Sequence, residues 1–290
     1  MPSSTADRVR GMAFMCLAVL LWTCADVLVG AVRRHSIVQV VWVRYGVHLL
    51  AMAAILGPRP LVASVATRRP AMQVLRGLAM VGVAVLATPA FAGLRGRDAL
   101  ALFQGEALMV LAMAPAVLRE RVPAHRWAAA AVGLAGALLV LEPGADAASP
   151  ATAAALGMAA CFASYQVLTR LLRSEPRPTN LLWPALVVFV PLTVAQPYLW
   201  TTPTAADGLA MTVIGVLGLG VLWALDRACA AAEVSLLAPC AYLQPIGVGV
   251  ALSISRGQAP GGRLLLGAAL VGAALGFVLW RERAHPPGSC

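Results

Sequence analysis

Apolar residues run through this chain in ten blocks of about twenty, the length a helix needs to cross the hydrocarbon core of a bilayer. The blocks fall near residues 11–31, 37–56, 72–91, 98–118, 124–141, 151–171, 180–199, 207–225, 232–253 and 262–280. Short turns rich in arginine and proline separate them, and none is long enough for a soluble domain. The pattern predicts an all-α polytopic membrane protein with ten transmembrane helices. The first block opens a series of similar blocks, so it reads as a retained span and not as a cleaved leader.

A repeat overlies this series. VPAHRWAAAAVGLAGALLV, after Glu120, and APGGRLLLGAALVGAALGFVL, near the end, share one rhythm, in which Pro123 matches Pro260 and Arg126 matches Arg263 at a common offset. Both precede a short span rich in Gly and Ala, where steps such as Gly133 to Ala137 and Gly272 to Gly276 permit close helix contact. The repeat divides the chain into two five-helix halves, 1–145 and 146–290, with Glu142 to Pro150 as the seam. Five is odd, so the second half crosses the membrane in the opposite sense. Inverted repeats are a carrier architecture that places substrate where the halves meet.

Charge sets the orientation. Hydrophobic residues make up 60% of the 290 and charged ones only 12%, too few to cover a soluble protein of this size. The net charge of +10 comes entirely from arginine. These arginines sit in turns between spans, which argues for membrane orientation and against nucleic-acid binding. With the N-terminus inside, the inner side receives most of them, Arg76 and Arg126 among them, so both termini are expected in the cytoplasm.

Polar groups inside the spans are few, and such groups usually face a protein interior or a cavity. Trp22 and Asp26 lie four apart on one face of the first span, as do Arg44 and His48 on the second. Gln104 and Glu106 lie in the fourth span, Tyr165, Gln166 and Thr169 in the sixth, Asn180 and Trp183 in the seventh, Tyr242 and Gln244 in the ninth. At about 1.5 Å per residue, Asp26 lies roughly 7 Å below the outer edge and Arg44 and Glu106 roughly 11–12 Å in. Arg44 is therefore expected to pair with Glu106 or Asp26. The pair would lock helices, meet a substrate carboxylate or carry a coupling proton. In LLAPCAYLQPI, Pro239 and Pro245 each remove a backbone donor. They predict a broken helix beside a polar central cavity, with Tyr242 and Gln244 between the breaks.

Several segments resemble the drug/metabolite transporter superfamily in its EamA-like branch. LRERVPAHRWAAAAVGLAGALLVLEPG is similar to the close of that family's first repeat, with Glu120 at the family's Glu position. Arg44 in WVRYG, the segment LRGLAM and the proline-bearing LLAPCAYLQPIGVGVAL also match. The chain departs from the family in having QGEAL, without proline, in the fourth span, and in lacking an acid near Gln258. The resemblance implies a carrier in a bacterial inner membrane that exports small metabolites, amino acids first, by alternating access.

The expected site comprises Trp22, Arg44, His48, Gln104, Glu106, Tyr165, Trp183, Tyr242 and Gln244. Pro239 and Pro245 would act as helix breaks, and Asp26 and Glu120 in structural or coupling roles. The other expectations are a small-molecule substrate, the lipid bilayer and protons as partners, and no cofactor or metal. A monomer is sufficient. A multidrug or sugar-phosphate-like carrier is the alternative, and an intramembrane enzyme a weaker one, since no HExxH, CxxC, phosphate loop or Ser/His/Asp set is present.

Overall fold

The computed structural model describes residues 4–144 and 149–284. Ten helices are long and apolar enough to span a membrane. They are α1 (Thr5–Val32), α2 (Ile37–Leu56), α3 (Pro70–Gly93), α4 (Gly96–Leu118), α5 (Ala124–Leu141), α6 (Pro150–Leu171), α7 (Arg177–Leu199), α8 (Ala205–Ala231), α9 (Val234–Ser255) and α10 (Gly262–Arg283). These limits lie close to those read from the apolar pattern. The expected boundary between halves, at 145/146, falls outside the described residues.

Local chemistry sets the helix starts. Ser4 and Thr204 form capping boxes with Asp7 and Asp207, and Ser36 and Ser149 accept from the backbone N–H groups of Gln39 and Thr152. Pro70 and Pro150 occupy first helical positions, where no hydrogen bond is lost. Gly57, with φ of 75°, ends α2 in a conformation that a Cβ disfavours. Outward faces present Leu50, Ile55, Val194 and Ile254, as lipid-facing helices require.

Alanine is the commonest residue of the interior, which lets helices approach closely. Contacts between the first five helices and the last five are reciprocal. Helix α1 packs on α8 and α9, as α6 packs on α3 and α4; α2 packs on α8, as α3 packs on α7. Helices α2 and α7 pair with each other, and so do α5 and α10. At the α5–α10 contact the Gly136 backbone meets that of Gly267, leaving no room for a Cβ on either. The expected Gly272 and Gly276 steps play no such part: both face open space, because the contact uses the preceding turns of α10.

Charges clamp α5 to α10 at both ends. Arg126, at the start of α5, pairs with Glu282, at the end of α10, at 2.9 Å. Arg263, at the start of α10, pairs with Glu142, just past the end of α5. The two clamps differ in burial. Arg126 and Glu282 are enclosed, whereas Arg263 and Glu142 are exposed. Arg263 also holds the Glu142 carboxyl below its ordinary range. Arg8 of α1 pairs with Glu282, so the first and last helices end on one face.

Candidate functional site

Two spans are broken, and the breaks face each other. In α9 a helical turn, Val234–Leu237, gives way to a 3₁₀ segment, Ala238–Tyr242, before helix resumes at Leu243. Pro239 lies in the 3₁₀ segment and Pro245 in the first turn beyond it, as their missing donors predict. In α4 the helix stops at Phe103 and restarts at Glu106, although no proline marks this break. The Nε2 group of Gln104 donates to Oε1 of Gln244 across the gap, at 3.3 Å.

Two carboxyl–amide contacts flank that bridge. Gln244 of α9 donates through Nε2 to Oδ2 of Asp26 in α1, at 2.5 Å. Gln166 of α6 donates to Glu106 of α4. In each contact the acid belongs to the first five helices and the amide to the second. An uncharged amide can hold either protonation state of a carboxyl, because it carries both donor and acceptor.

Beside these contacts lies a small cavity of about 30 Å3, walled by Trp22, Phe103, Phe162, Glu106 and Gln244. Trp22 meets Phe162 edge-on, with ring centroids 4.8 Å apart, and Phe103 packs on Phe162 at 5.6 Å. Metabolite pockets usually measure about 300–1,000 Å3. A metabolite therefore enters only if the surrounding helices separate.

The expected ion pair does not form. Arg44 makes no ion pair with Glu106 or Asp26 among the described residues; Glu106 is held by Gln166 and Asp26 by Gln244. Instead the guanidinium lies 5.8 Å from the ring centroids of both Trp22 and Tyr45. It packs against Gly218 of α8, where a Cβ would strike it. Cation–π contact adds to a longer-range attraction between Arg44 and the Asp26 carboxylate. The depth estimate placed these three groups at compatible levels but carried no information about which way each helix faces.

Other expected residues divide by location. His48 is buried and stacks on Tyr45 at 5.9 Å, with Nε2 lacking a partner. Tyr165 stacks on Phe162 at 6.1 Å, one layer behind the cavity wall. Tyr242 packs its ring on Gly133 of α5 and leaves its hydroxyl unpartnered. Trp183 lies apart from the cavity, because its indole N–H donates to the carbonyl of Val65 in the α2–α3 turn, at 3.2 Å. Glu120 is also remote. It accepts from Arg170 Nε at 3.3 Å and from Ser235 Oγ at 3.2 Å, and burial raises its pKa.

A second buried polar group was not anticipated. Arg76, counted to the inner side by charge, is fully enclosed near the start of α3. It donates to Gln73 Oε1 at 2.9 Å and to the carbonyl of Asn180, and lies 5.6 Å from the Tyr165 ring. Asn180 accepts from Gln73 Nε2 at 2.9 Å and donates to Asp226 Oδ1 at 2.9 Å. The spacing of Gln73 and Arg76, three apart on one helix face, was the available signal.

No protein-family model matches the chain. It is 33% identical over 165 residues to a riboflavin transporter of Vibrio cholerae, an alignment covering 56% of this chain and 55% of that protein. To a riboflavin transporter of Rhizobium johnstonii it is 31% identical over 188 residues, 64% of this chain and 62% of that one. A Rickettsia bellii S-adenosylmethionine uptake transporter aligns at 24% identity over 75% of each chain. The match thus spans somewhat more than half the length of the two riboflavin transporters. A solved crystal structure at 19% sequence identity superposes with a TM-score of 0.80, over 94% of this chain and 98% of that one, and so shares the fold. These relatives are transporters and not enzymes, and the described residues contain no group of three His, Cys, Asp or Glu placed to hold a metal. Ten membrane-length helices and bacterial transporter relatives make the chain a multi-pass protein of a bacterial inner membrane.

Proposed function

We propose that this protein is a secondary carrier of the drug/metabolite transporter superfamily, in its EamA-like branch. It moves a heteroaromatic metabolite of flavin or adenosine type by alternating access. The observation that carries the reading is the meeting of two broken helices, at Gln104 and Gln244, beside an aromatic-walled cavity. Discontinuous helices in corresponding positions of two halves mark binding sites in carriers. The reciprocal packing of α1–α5 and α6–α10 supports an inverted repeat, and the arginine distribution supports cytoplasmic termini. Trp22, Phe103 and Phe162 supply faces and edges for a planar heterocycle, while the amides of Gln104, Gln166 and Gln244 orient its polar edge. The relatives named for riboflavin and for S-adenosylmethionine uptake favour the same substrate class and inward movement.

Amino-acid export is the second reading. Arg44, whose guanidinium lies beside the Trp22 wall and forms no direct ion pair among the described residues, favours a carboxylate-bearing substrate. Counterflow in liposomes containing the purified protein separates the two. Labelled riboflavin and S-adenosylmethionine are tested against threonine, methionine and an aromatic amino acid. Saturable exchange of a heteroaromatic compound, competed by its unlabelled form and absent for the amino acids, is expected. Exchange of the amino acids alone would overturn the heteroaromatic assignment and leave the carrier reading in place. Absence of exchange for every compound would count against both substrate readings.

A further inference from the structure

A second, larger cavity of about 830 Å3 opens on the face that carries the ends of α1 and α10. Seven arginines and three glutamates line it. The glutamates are already engaged: Glu282 by Arg8 and Arg126, Glu233 by Arg126, and Glu120 by Arg170. Arg69, Arg119, Arg121 and Arg173 remain without an acid partner among the described residues. Arg69 spends one N–H on the carbonyl of Leu171, at 3.4 Å. Arg119 closes α4 in the left-handed conformation, with φ of 55°, which a side chain bearing Cβ disfavours.

Membrane orientation explains why arginines lie on this face. It does not explain their convergence on one cavity from both halves. Arg69, Arg119 and Arg121 come from the first five helices and their turns, and Arg173 from the α6–α7 turn. Seven cations against three anions leave an excess of four positive charges around a space large enough for a small metabolite. Guanidinium forks match the oxygens of phosphate in pairs, and phosphate carries more charge per group than a carboxylate.

We propose that this vestibule is a phosphate-binding site, occupied by a soluble phosphate ester or by the headgroup of an anionic phospholipid. Its occupant touches both halves on one face and so holds them together there. The site is separate from the aromatic cavity and does not depend on which substrate that cavity takes.

The test uses the full chain in nanodiscs of phosphatidylcholine and follows thermal unfolding against added pyrophosphate at constant ionic strength. A saturable rise in melting temperature is expected. The double variant Arg119→Gln/Arg173→Gln should raise the half-saturating concentration at least about tenfold, since each removes a charge-assisted hydrogen bond. Arg256→Gln, at the far end of α9, should leave it unchanged. A rise found only in discs containing phosphatidylglycerol, and lost in the double variant, assigns the site to a lipid headgroup. Stabilisation by neither phosphate source would overturn the proposal, as would stabilisation that the double variant retains in full. Arg121→Gln provides a second variant should the double one unfold; it too must weaken the response.

Discussion

On the proposed reading, single side chains decide how the central cavity would treat a ligand. Trp22 forms one wall and is itself braced by Phe162 and by the Arg44 guanidinium. Stacking of a heterocycle on an aromatic side chain contributes about 1–3 kcal/mol. Trp22→Ala should therefore raise the KM for riboflavin counterflow about tenfold, with a smaller change for Trp22→Phe. Glu106 is the fully enclosed acid at the α4 break, and its partner is an amide and not a cation. A carboxyl held in this way can exchange a proton without breaking an ion pair. In Glu106→Gln, substrate binding should persist while the dependence of flux on external pH disappears. Flux in reconstituted vesicles that follows pH as steeply as in the parent protein would remove Glu106 from the coupling role.

At the scale of elements, the broken helices carry the argument. The 3₁₀ segment of α9 places Tyr242 against α5, and Gly133 is the only residue type that leaves space for the ring. Gly133→Val should force that ring aside and destabilise the protein by about 1–3 kcal/mol. Gly272→Val, on open space in α10, should leave the unfolding temperature unchanged. Comparing the two by thermal unfolding in detergent tests whether the helix break is braced by α5 or stands on its own. The α9 break was legible in LLAPCAYLQPI because proline removes a donor. The α4 break was not, because Gln104–Gly105–Glu106 carries no such residue. At that break Gln104 meets Gln244, which lies 140 positions along the chain.

Over the whole molecule, the α5–α10 pair joins the two halves with one enclosed clamp and one open clamp. Removing Arg126 leaves the enclosed Glu282 with Arg8 and His125 alone and takes the ion-pair partner from the half-buried Glu233. Arg126→Ala should cost about 3 kcal/mol of stability. Arg263→Ala, at the exposed clamp, should have no measurable effect on the unfolding temperature. On the carrier reading the asymmetry matters: the face bearing the start of α1 and the end of α10 is tied by an enclosed clamp, and the opposite end of the same helix pair only by the exposed Arg263–Glu142 pair. The 30 Å3 central cavity fits this closed arrangement, since a metabolite requires the helices around it to move.

The sequence by itself determined the ten membrane-length helices, their approximate limits and the broken character of α9. Each of these is a local property, set by hydropathy over about twenty residues or by a proline's missing N–H. It also marked Trp22, Gln104, Glu106 and Gln244 as candidates for the protein interior, among the few polar and aromatic groups within the spans. Tertiary structure alone decided which of these groups meet. Partner choice depends on helix rotation and on contacts between residues far apart in the chain. That is why Glu106 meets Gln166 and not Arg44, why Trp183 turns to the Val65 carbonyl, and why Arg76 meets the carbonyl of Asn180. The same reason hid the arginine-lined vestibule, whose members lie on separate helices and turns and meet only when the fold brings them to one cavity.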